Sequence, residues 1–171
     1  MLDLSDPRWA EYRTRSGNGA DLVPLLQKTS ADDADYYRIF HECCDLHTFE
    51  LFAAAYAVMP HLARRAADAV DPRDMIWPQF IAAAFCSNYK VADAKDDIPA
   101  DLLDDFRKSA KLAYDTSICL VETLSDKNPS FQYATMLTSI YNIDSKPLFG
   151  NPLPGTFILI NWFEERKPPQ L

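Results

Sequence analysis

The sequence predicts an all-α protein, and three observations support this fold class. Apolar residues recur at intervals of three and four along much of the chain, which is the spacing of one helix face. Glycine, which disfavours helices, occurs only four times in 171 residues. Three segments pair a capping residue with proline, as helix starts do: Asp6-Pro7, Asp71-Pro72 and Asn128-Pro129. We therefore expect one helical domain over residues 1–171.

The first three predicted helices lie in the N-terminal quarter of the chain. Asp6-Pro7 should start the first, and the glycines of 17–19 should end it. The second should span 20–28, with its apolar leucines on one face. Either Ser30 or Asp32 should cap the third, which should continue to about residue 46.

The next two predicted helices carry the most apolar sequence. Residues 49–58 are apolar nearly all round a helix, so this segment should be buried at the centre of the domain. Pro60 should bend or restart the helix, and the continuation 61–69 is amphipathic. Another helix should begin at Asp71-Pro72, with Pro78 as either a kink or the true start.

The longest predicted helix begins at 97–99 and ends near residue 124. Its apolar stripe steps by three and four and consists of Leu103, Phe106, Ala110, Ala113, Ser117, Leu120 and Leu124. A last helix should follow Asn128-Pro129. The stretch 144–155, rich in Pro and Gly, predicts a loop. The apolar run 156–163 fits either a short C-terminal strand or a final helical turn.

Composition and charge restrict the classes of function. A formal net charge of −8, from 17 Lys and Arg against 25 Asp and Glu, argues against binding to nucleic acid or to an anionic membrane surface. An acidic chain suits a basic protein partner, although the charge also serves solubility alone. We expect a cytoplasmic protein, because no run of about 18 apolar residues and no basic, apolar leader occurs.

The cysteines and histidines form no motif typical of catalysis or metal binding. No C-x-x-C pair occurs among the four cysteines, which are Cys43, Cys44, Cys86 and Cys119, so buried free thiols are expected. His41 and His47 are close to Cys43 and Cys44 in sequence, but no oxyanion-type motif accompanies them. His61 should be a hydrogen-bonded structural residue. We expect no enzyme activity, no cofactor and no metal.

Two blocks within the first 70 residues resemble a known family. They comprise Trp9, Tyr12 and Gly17 followed by Ala20-Asp21-Leu22-Val23-Pro24-Leu25-Leu26, and then the segment from His47 to Met59-Pro60-His61-Leu62. Together they resemble the N-terminal part of bacterial HEAT-like helical-repeat proteins of the immunity-protein type. The resemblance implies a stack of antiparallel helical hairpins and a protein that binds and neutralises a cognate toxin. The turn after His47 and the extra Val23 depart from the family pattern.

An acidic cluster is the predicted contact surface for a basic partner. Its members are Asp93, Asp96, Asp97, Asp101, Asp104 and Asp105, and locally only Lys95 offsets them. Such a surface would steer the association with a basic toxin domain. A solvated helix face is the alternative, since Asp residues are favoured at a helix N-terminus. The spacing lacks the glycine and the final glutamate of a calcium-binding loop.

Two aromatic residues complete the predicted partner-binding set. Trp77 and Tyr89 flank the acidic stretch, and aromatic residues beside charge are typical of interface hot spots. Core packing is the alternative for Trp77, which has apolar sequence neighbours. We therefore predict a protein-binding domain, an immunity protein with a toxin partner, and leave its oligomeric state open. A cytoplasmic scaffold or regulatory adaptor is the alternative function.

Overall fold

The computed structural model describes residues 1–45, 50–88 and 98–125. Within these ranges the chain forms 3₁₀ helices at Pro7–Glu11 and Gly19–Leu22, followed by α1 (Val23–Gln27), α2 (Asp33–Cys43), α3 (Ala53–Asp68), α4 (Pro72–Asn88) and α5 (Ala100–Ser125). The described residues contain no strand and only two isolated β-bridges, Arg13 with Asn18 and Cys44 with Leu51. The all-α class is therefore confirmed for this part of the chain.

The first predicted helix starts where expected but is short. The Asp6 carboxylate accepts a hydrogen bond from the backbone N–H of Arg8 at 2.9 Å, and Pro7 occupies the first helical position. The helix is a single 3₁₀ segment, because Tyr12 is extended and residues 13–18 form a turn closed by a β-bridge.

The second and third predicted helices also differ from expectation at their ends. Residues 20–28 divide into the second 3₁₀ helix and α1, which carries Pro24 in its first turn, where its missing N–H costs no hydrogen bond. Asp32 caps α2 in a capping box: its carboxylate accepts a hydrogen bond from the backbone N–H of Asp35, and its own backbone N–H donates to the Asp35 carboxylate. The helix ends at Cys43, because Cys44 is extended.

The helix α3 is the buried centre of the described structure, as the apolar run predicts. Residues 53–60 are all buried. The helix begins at Ala53 and not near 49, because Phe52 is extended and donates its N–H to the carbonyl of Cys43 at 3.0 Å. Pro60 lies inside α3, which continues past it to Asp68, so the helix does not restart there.

The helices α4 and α5 pack against α3 and against each other. Since α4 begins at Pro72, Pro78 lies inside the helix and is not its start. Aromatic contacts fill the core, with Tyr56 and Phe106 ring centroids 5.0 Å apart. Between α4 and α5, the buried Gln79 side chain donates a hydrogen bond to the carbonyl of Ala113 at 2.5 Å.

The structure describes four side chains of the predicted stripe on α5, and three of them lie in the core; the side chains of Ser117, Leu120 and Leu124 are outside the described part. Phe106, Ala110 and Ala113 are buried, whereas Leu103 is only partly buried and its neighbour Leu102 is inside the core. The last predicted helix, the predicted loop 144–155 and the run 156–163 lie outside the described residues. Within the described ranges, no helix combines the length and the apolar content needed to span a membrane.

Candidate functional site

The described half of the acidic cluster is involved in ion pairs. Asp101 and Asp104 are well exposed, at 57% and 64% of their side-chain surface, and Asp105 is 26% exposed. Each carboxylate has a cationic partner: Asp101 pairs with Arg8 at 2.9 Å, Asp104 with Arg107 at 3.3 Å, and Asp105 with the Met1 amino group. The other predicted partner-binding residues Asp93, Asp96, Asp97 and Tyr89 lie outside the described residues.

Two of these ion pairs hold the N-terminal segment against α5. The guanidinium of Arg8 contacts both Asp6 and Asp101, and its hydrogen bond holds the pKa of the Asp101 carboxyl below its usual value. Because Arg8 and Asp101 are 93 positions apart, this contact joins the N-terminal segment to the start of α5. These carboxylates therefore have a structural role, and the described part of the cluster is not an uncompensated negative surface.

The N-terminal segment is also fixed from the side of α3. Leu2 is buried, and the Nε2 atom of His61 lies 2.9 Å from the Leu2 carbonyl oxygen. The Trp9 indole donates a hydrogen bond to the carbonyl of Asp3 at 2.8 Å. Burial lowers the pKa of His61, so its ring is neutral at neutral pH. The prediction that His61 is a hydrogen-bonded structural residue is confirmed.

A recess of about 520 Å³ lies between the turn after α1, the second half of α3 and the first turns of α4. Two arginines, three aspartates and two aromatic rings dominate its wall. Its lining residues are Thr29, Ser30, Ala31, Asp33, Tyr36, His61, Arg64, Arg65, Asp68, Ala69, Asp74 and Trp77. Of the predicted partner-binding residues that the structure describes, Trp77 is the one that lines this recess. In sequence it precedes the acidic cluster.

Trp77 forms part of the recess wall and part of the aromatic core. It is partly buried, and its ring lies almost parallel to that of Tyr36, with centroids 6.3 Å apart and 4° between the planes. Its ring also meets the ring of Phe80 edge-on, with the centroids 6.0 Å apart. Trp77 therefore packs on the core, as the alternative for this residue expects, and it also lines a surface recess.

Arg65 anchors the floor of the recess. Its guanidinium donates hydrogen bonds to the carbonyls of Leu26 and Lys28, at 2.5 Å and 2.9 Å, and to the hydroxyl of Tyr36 at 3.4 Å. The two carbonyls lie at the C-terminal end of α1, where backbone dipoles attract a cation. The positive charge of Arg65 is thus directed at the protein's own backbone.

The exposed rim of the recess is richer in carboxylates than in cations. Asp33, Asp68 and Asp74 are exposed, and so is Arg64. Within the described ranges, none of these four side chains forms an ion pair. In the described part of the chain, the rim therefore presents exposed charges that are not in ion pairs, beside a partly buried aromatic wall.

The two cysteines that are adjacent in sequence are buried, as predicted. Cys43 and Cys44 are free thiols inside the core. Burial raises the pKa of Cys43 well above its usual value and that of Cys44 to about 12. A thiol with so high a pKa is a poor nucleophile at neutral pH. In the described part of the chain, no group of three or more His, Cys, Asp or Glu residues is arranged to hold a metal ion.

Comparison of the chain with protein-family models, with curated proteins and with solved structures finds no match. The likeness of residues 9–62 to HEAT-like immunity proteins therefore stays a prediction.

Sequence reasoning missed the recess as a unit. The amphipathic pattern of 61–69 places Arg64, Arg65 and Asp68 on the outer side of α3, which is correct for Arg64 and Asp68. It does not show that Arg65 reaches Leu26, because the two residues are 39 positions apart. The adjacent arginines near the end of an amphipathic helix were the only local indication of this site.

Proposed function

We propose that this chain binds another protein and acts as a bacterial immunity protein that neutralises a cognate toxin. The observation that carries the proposal is the recess beside α3, where the partly exposed Trp77 lies with the exposed Arg64. Tryptophan and arginine are among the residue types that contribute most binding energy at protein interfaces, especially in concave, well-packed sites.

The proposal also includes a HEAT-like architecture and a cytoplasmic location. The likeness of residues 9–62 to HEAT-like proteins supports a stack of helical hairpins. The net charge of −8 suits a basic toxin domain, which it would attract over a distance of about one Debye length. The free, buried thiols of Cys43 and Cys44 support a reducing compartment such as the cytoplasm.

The acidic cluster is the second element of the proposed contact surface. Asp101 and Asp105 are unsuitable for a test by substitution, because they hold the N-terminal segment in place. Asp104 is suitable, because it is exposed and pairs only with Arg107 on the same helix. Asp115 is a matched control, since it is exposed on α5 and pairs there with Lys111 at 2.9 Å.

The experiment is a pull-down from the native host with mass spectrometry as the readout. The tag belongs at the C-terminus, because an extension at Met1 would remove the amino group that pairs with Asp105. Stoichiometric recovery of a toxin domain encoded beside this gene is the expected result. Recovery of housekeeping proteins alone would overturn the immunity function and favour the scaffold or adaptor.

Binding kinetics with the recovered toxin test the acidic cluster. Asp104→Asn should slow association by about two- to threefold at low salt, with a smaller effect at high salt, because exposed charges act mainly on the encounter rate. Asp115→Asn should leave the rate closer to that of the wild type. Equal rates for the wild type and Asp104→Asn at every salt concentration would remove Asp104 from the contact surface.

A further inference from the structure

We propose that the recess beside α3 receives an arginine side chain of the protein partner. The inference rests on the proposed protein-binding function and assigns the chemistry of the group that enters this site. A volume of about 520 Å³ is within the range of natural ligand pockets and accommodates a long side chain with part of its backbone.

The charges of the recess favour a cation over an anion. Among the described residues that line it, three carboxylates, those of Asp33, Asp68 and Asp74, stand against two guanidinium groups. One of the two, Arg65, is committed to the carbonyls of Leu26 and Lys28. His61 adds no charge at neutral pH, because burial lowers its pKa. Arg64 is the cation that competes with an incoming one.

The aromatic wall distinguishes arginine from lysine. A guanidinium is planar and weakly hydrated, so it associates with aromatic rings and carboxylates at the same time. The recess offers both, with the Trp77 indole on α4 and the Asp74 carboxylate in the first turn of the same helix. An ammonium group keeps its hydration more strongly and has no flat face to place along the ring. Arginine should therefore bind more tightly than lysine.

Binding of short peptides to the whole chain tests the inference. The probes are capped pentapeptides, Gly-Ser-X-Ser-Gly, in which X is arginine, lysine, glutamate or alanine. The readout is the NMR cross-peak of the Trp77 indole N–H in ¹⁵N-labelled protein, whose spectrum also reports that each variant is folded. The arginine peptide should shift this cross-peak in a saturable way, the lysine peptide more weakly, and the other two should not.

Two variants with opposite expected effects identify the charge class. Asp68→Asn combined with Asp74→Asn should weaken binding of the arginine peptide by about five- to tenfold, because two exposed attractions are lost. Arg64→Gln should strengthen it by about twofold, because a competing cation is removed. All these side chains are exposed, so both variants should fold normally.

Several results would overturn the arginine site. They are the absence of saturation with the arginine peptide, a preference for the glutamate peptide, or unchanged binding in the Asp68→Asn and Asp74→Asn variant. Its failure is distinguishable from failure of the proposed function. A toxin captured equally well by this variant and by the wild type would support the immunity function and overturn the arginine site. If the recess bound the arginine peptide selectively but the chain captured no protein, the arginine site would be supported and the immunity function overturned.

Discussion

Ser16 and Glu42 are joined by hydrogen bonds that fix the turn at residues 13–18 to the end of α2. The Glu42 carboxylate accepts from the Ser16 backbone N–H at 3.0 Å and from the Ser16 hydroxyl at 2.8 Å. The backbone carbonyl of Glu42 accepts from the N–H of Arg15 at 2.9 Å. Burial alone would raise the pKa of Glu42, but the hydrogen bonds from Ser16 and Thr14 outweigh burial and lower it.

The first prediction concerns the pH dependence of this clamp. Because the pKa of Glu42 is lower in the folded state, its stabilisation is present above the unfolded pKa of about 4.3 and is lost as the pH falls through the folded value. Glu42→Gln should cost about 1 kcal/mol at pH 7, since a hydrogen-bonded charge is replaced by a neutral amide. The difference from the wild type should shrink by pH 3, as measured by urea unfolding.

Glu11→Gln is the control for this measurement, because Glu11 is exposed. Its effect should stay within about 0.5 kcal/mol at both pH values. If the Glu42→Gln variant were less stable by the same amount at pH 3 as at pH 7, the charge of Glu42 would not be the source of the stabilisation.

The second prediction concerns Arg65 at the end of α1. Arg65→Ala should lower the free energy of unfolding by about 2–3 kcal/mol, because two backbone carbonyls lose a charged donor and a partly buried stem is removed. Arg65→Lys should lose about half as much, because an ammonium cannot reproduce the planar fork. The neighbouring exposed Arg64→Ala should change stability by less than about 0.5 kcal/mol. Similar losses at the two positions in urea unfolding would contradict the anchoring role.

The third prediction compares Gly17, in the turn at residues 13–18, with Gly19, at the start of the second 3₁₀ helix. A Cβ atom at Gly19 would lie 2.9 Å from both the Trp9 ring and the Trp9 carbonyl oxygen, so Gly19→Ala should cost about 1–3 kcal/mol. At Gly17 the Cβ would meet the end of the Asp21 side chain at 2.7 Å, and this exposed carboxylate can rotate away. Gly17→Ala should therefore cost less than about 1 kcal/mol. Thermal unfolding of the two variants decides the matter, and an equal shift of Tm would refute the close packing at Gly19.

The fourth prediction concerns the reactivity of the adjacent free thiols of Cys43 and Cys44. Burial raises the pKa of Cys44 to about 12, and Cys43 is shifted in the same direction. At pH 8 their alkylation by iodoacetamide should be about a thousandfold slower in the native protein than in urea, because little thiolate is present and the sulfur atoms are inaccessible. Peptide mapping by mass spectrometry separates these two cysteines from Cys86 and Cys119. Rapid native labelling of Cys43 or Cys44 would show that the core opens readily.

Local sequence predicts the helices of this fold better than it predicts their ends. Asp6 and Asp32 each form the predicted cap, because capping depends on residues within one turn. The apolar run of 53–60 is buried because every face of that helix meets the core. The start of α3 is displaced from 49 to 53 by the pairing of Phe52 with Cys43, which no local pattern contains.

The candidate site depends even more on contacts distant in sequence. The sequence alone predicts Trp77 as a binding residue, because large aromatic residues beside charge are typical of protein interfaces. The role of Arg65 depends on the position of α1, and the pairing of Asp101 depends on Arg8 at the other end of the described chain. The acidic cluster looks unbalanced in sequence because two of the three cations that pair with its described members, the Met1 amino group and Arg8, are distant in sequence.

The N-terminal segment is synthesised well before the residues that hold it in place. Residues 1–9 are synthesised before the Asp101 and Asp105 carboxylates that hold them, which follow about a hundred residues later. At roughly 5–20 residues per second, the segment waits on the order of five to twenty seconds for these partners. During that interval Leu2 and Trp9, which end up buried, are exposed to other chains and to chaperones. The contact between Arg8 and Asp101 therefore cannot form until the start of α5 has been synthesised.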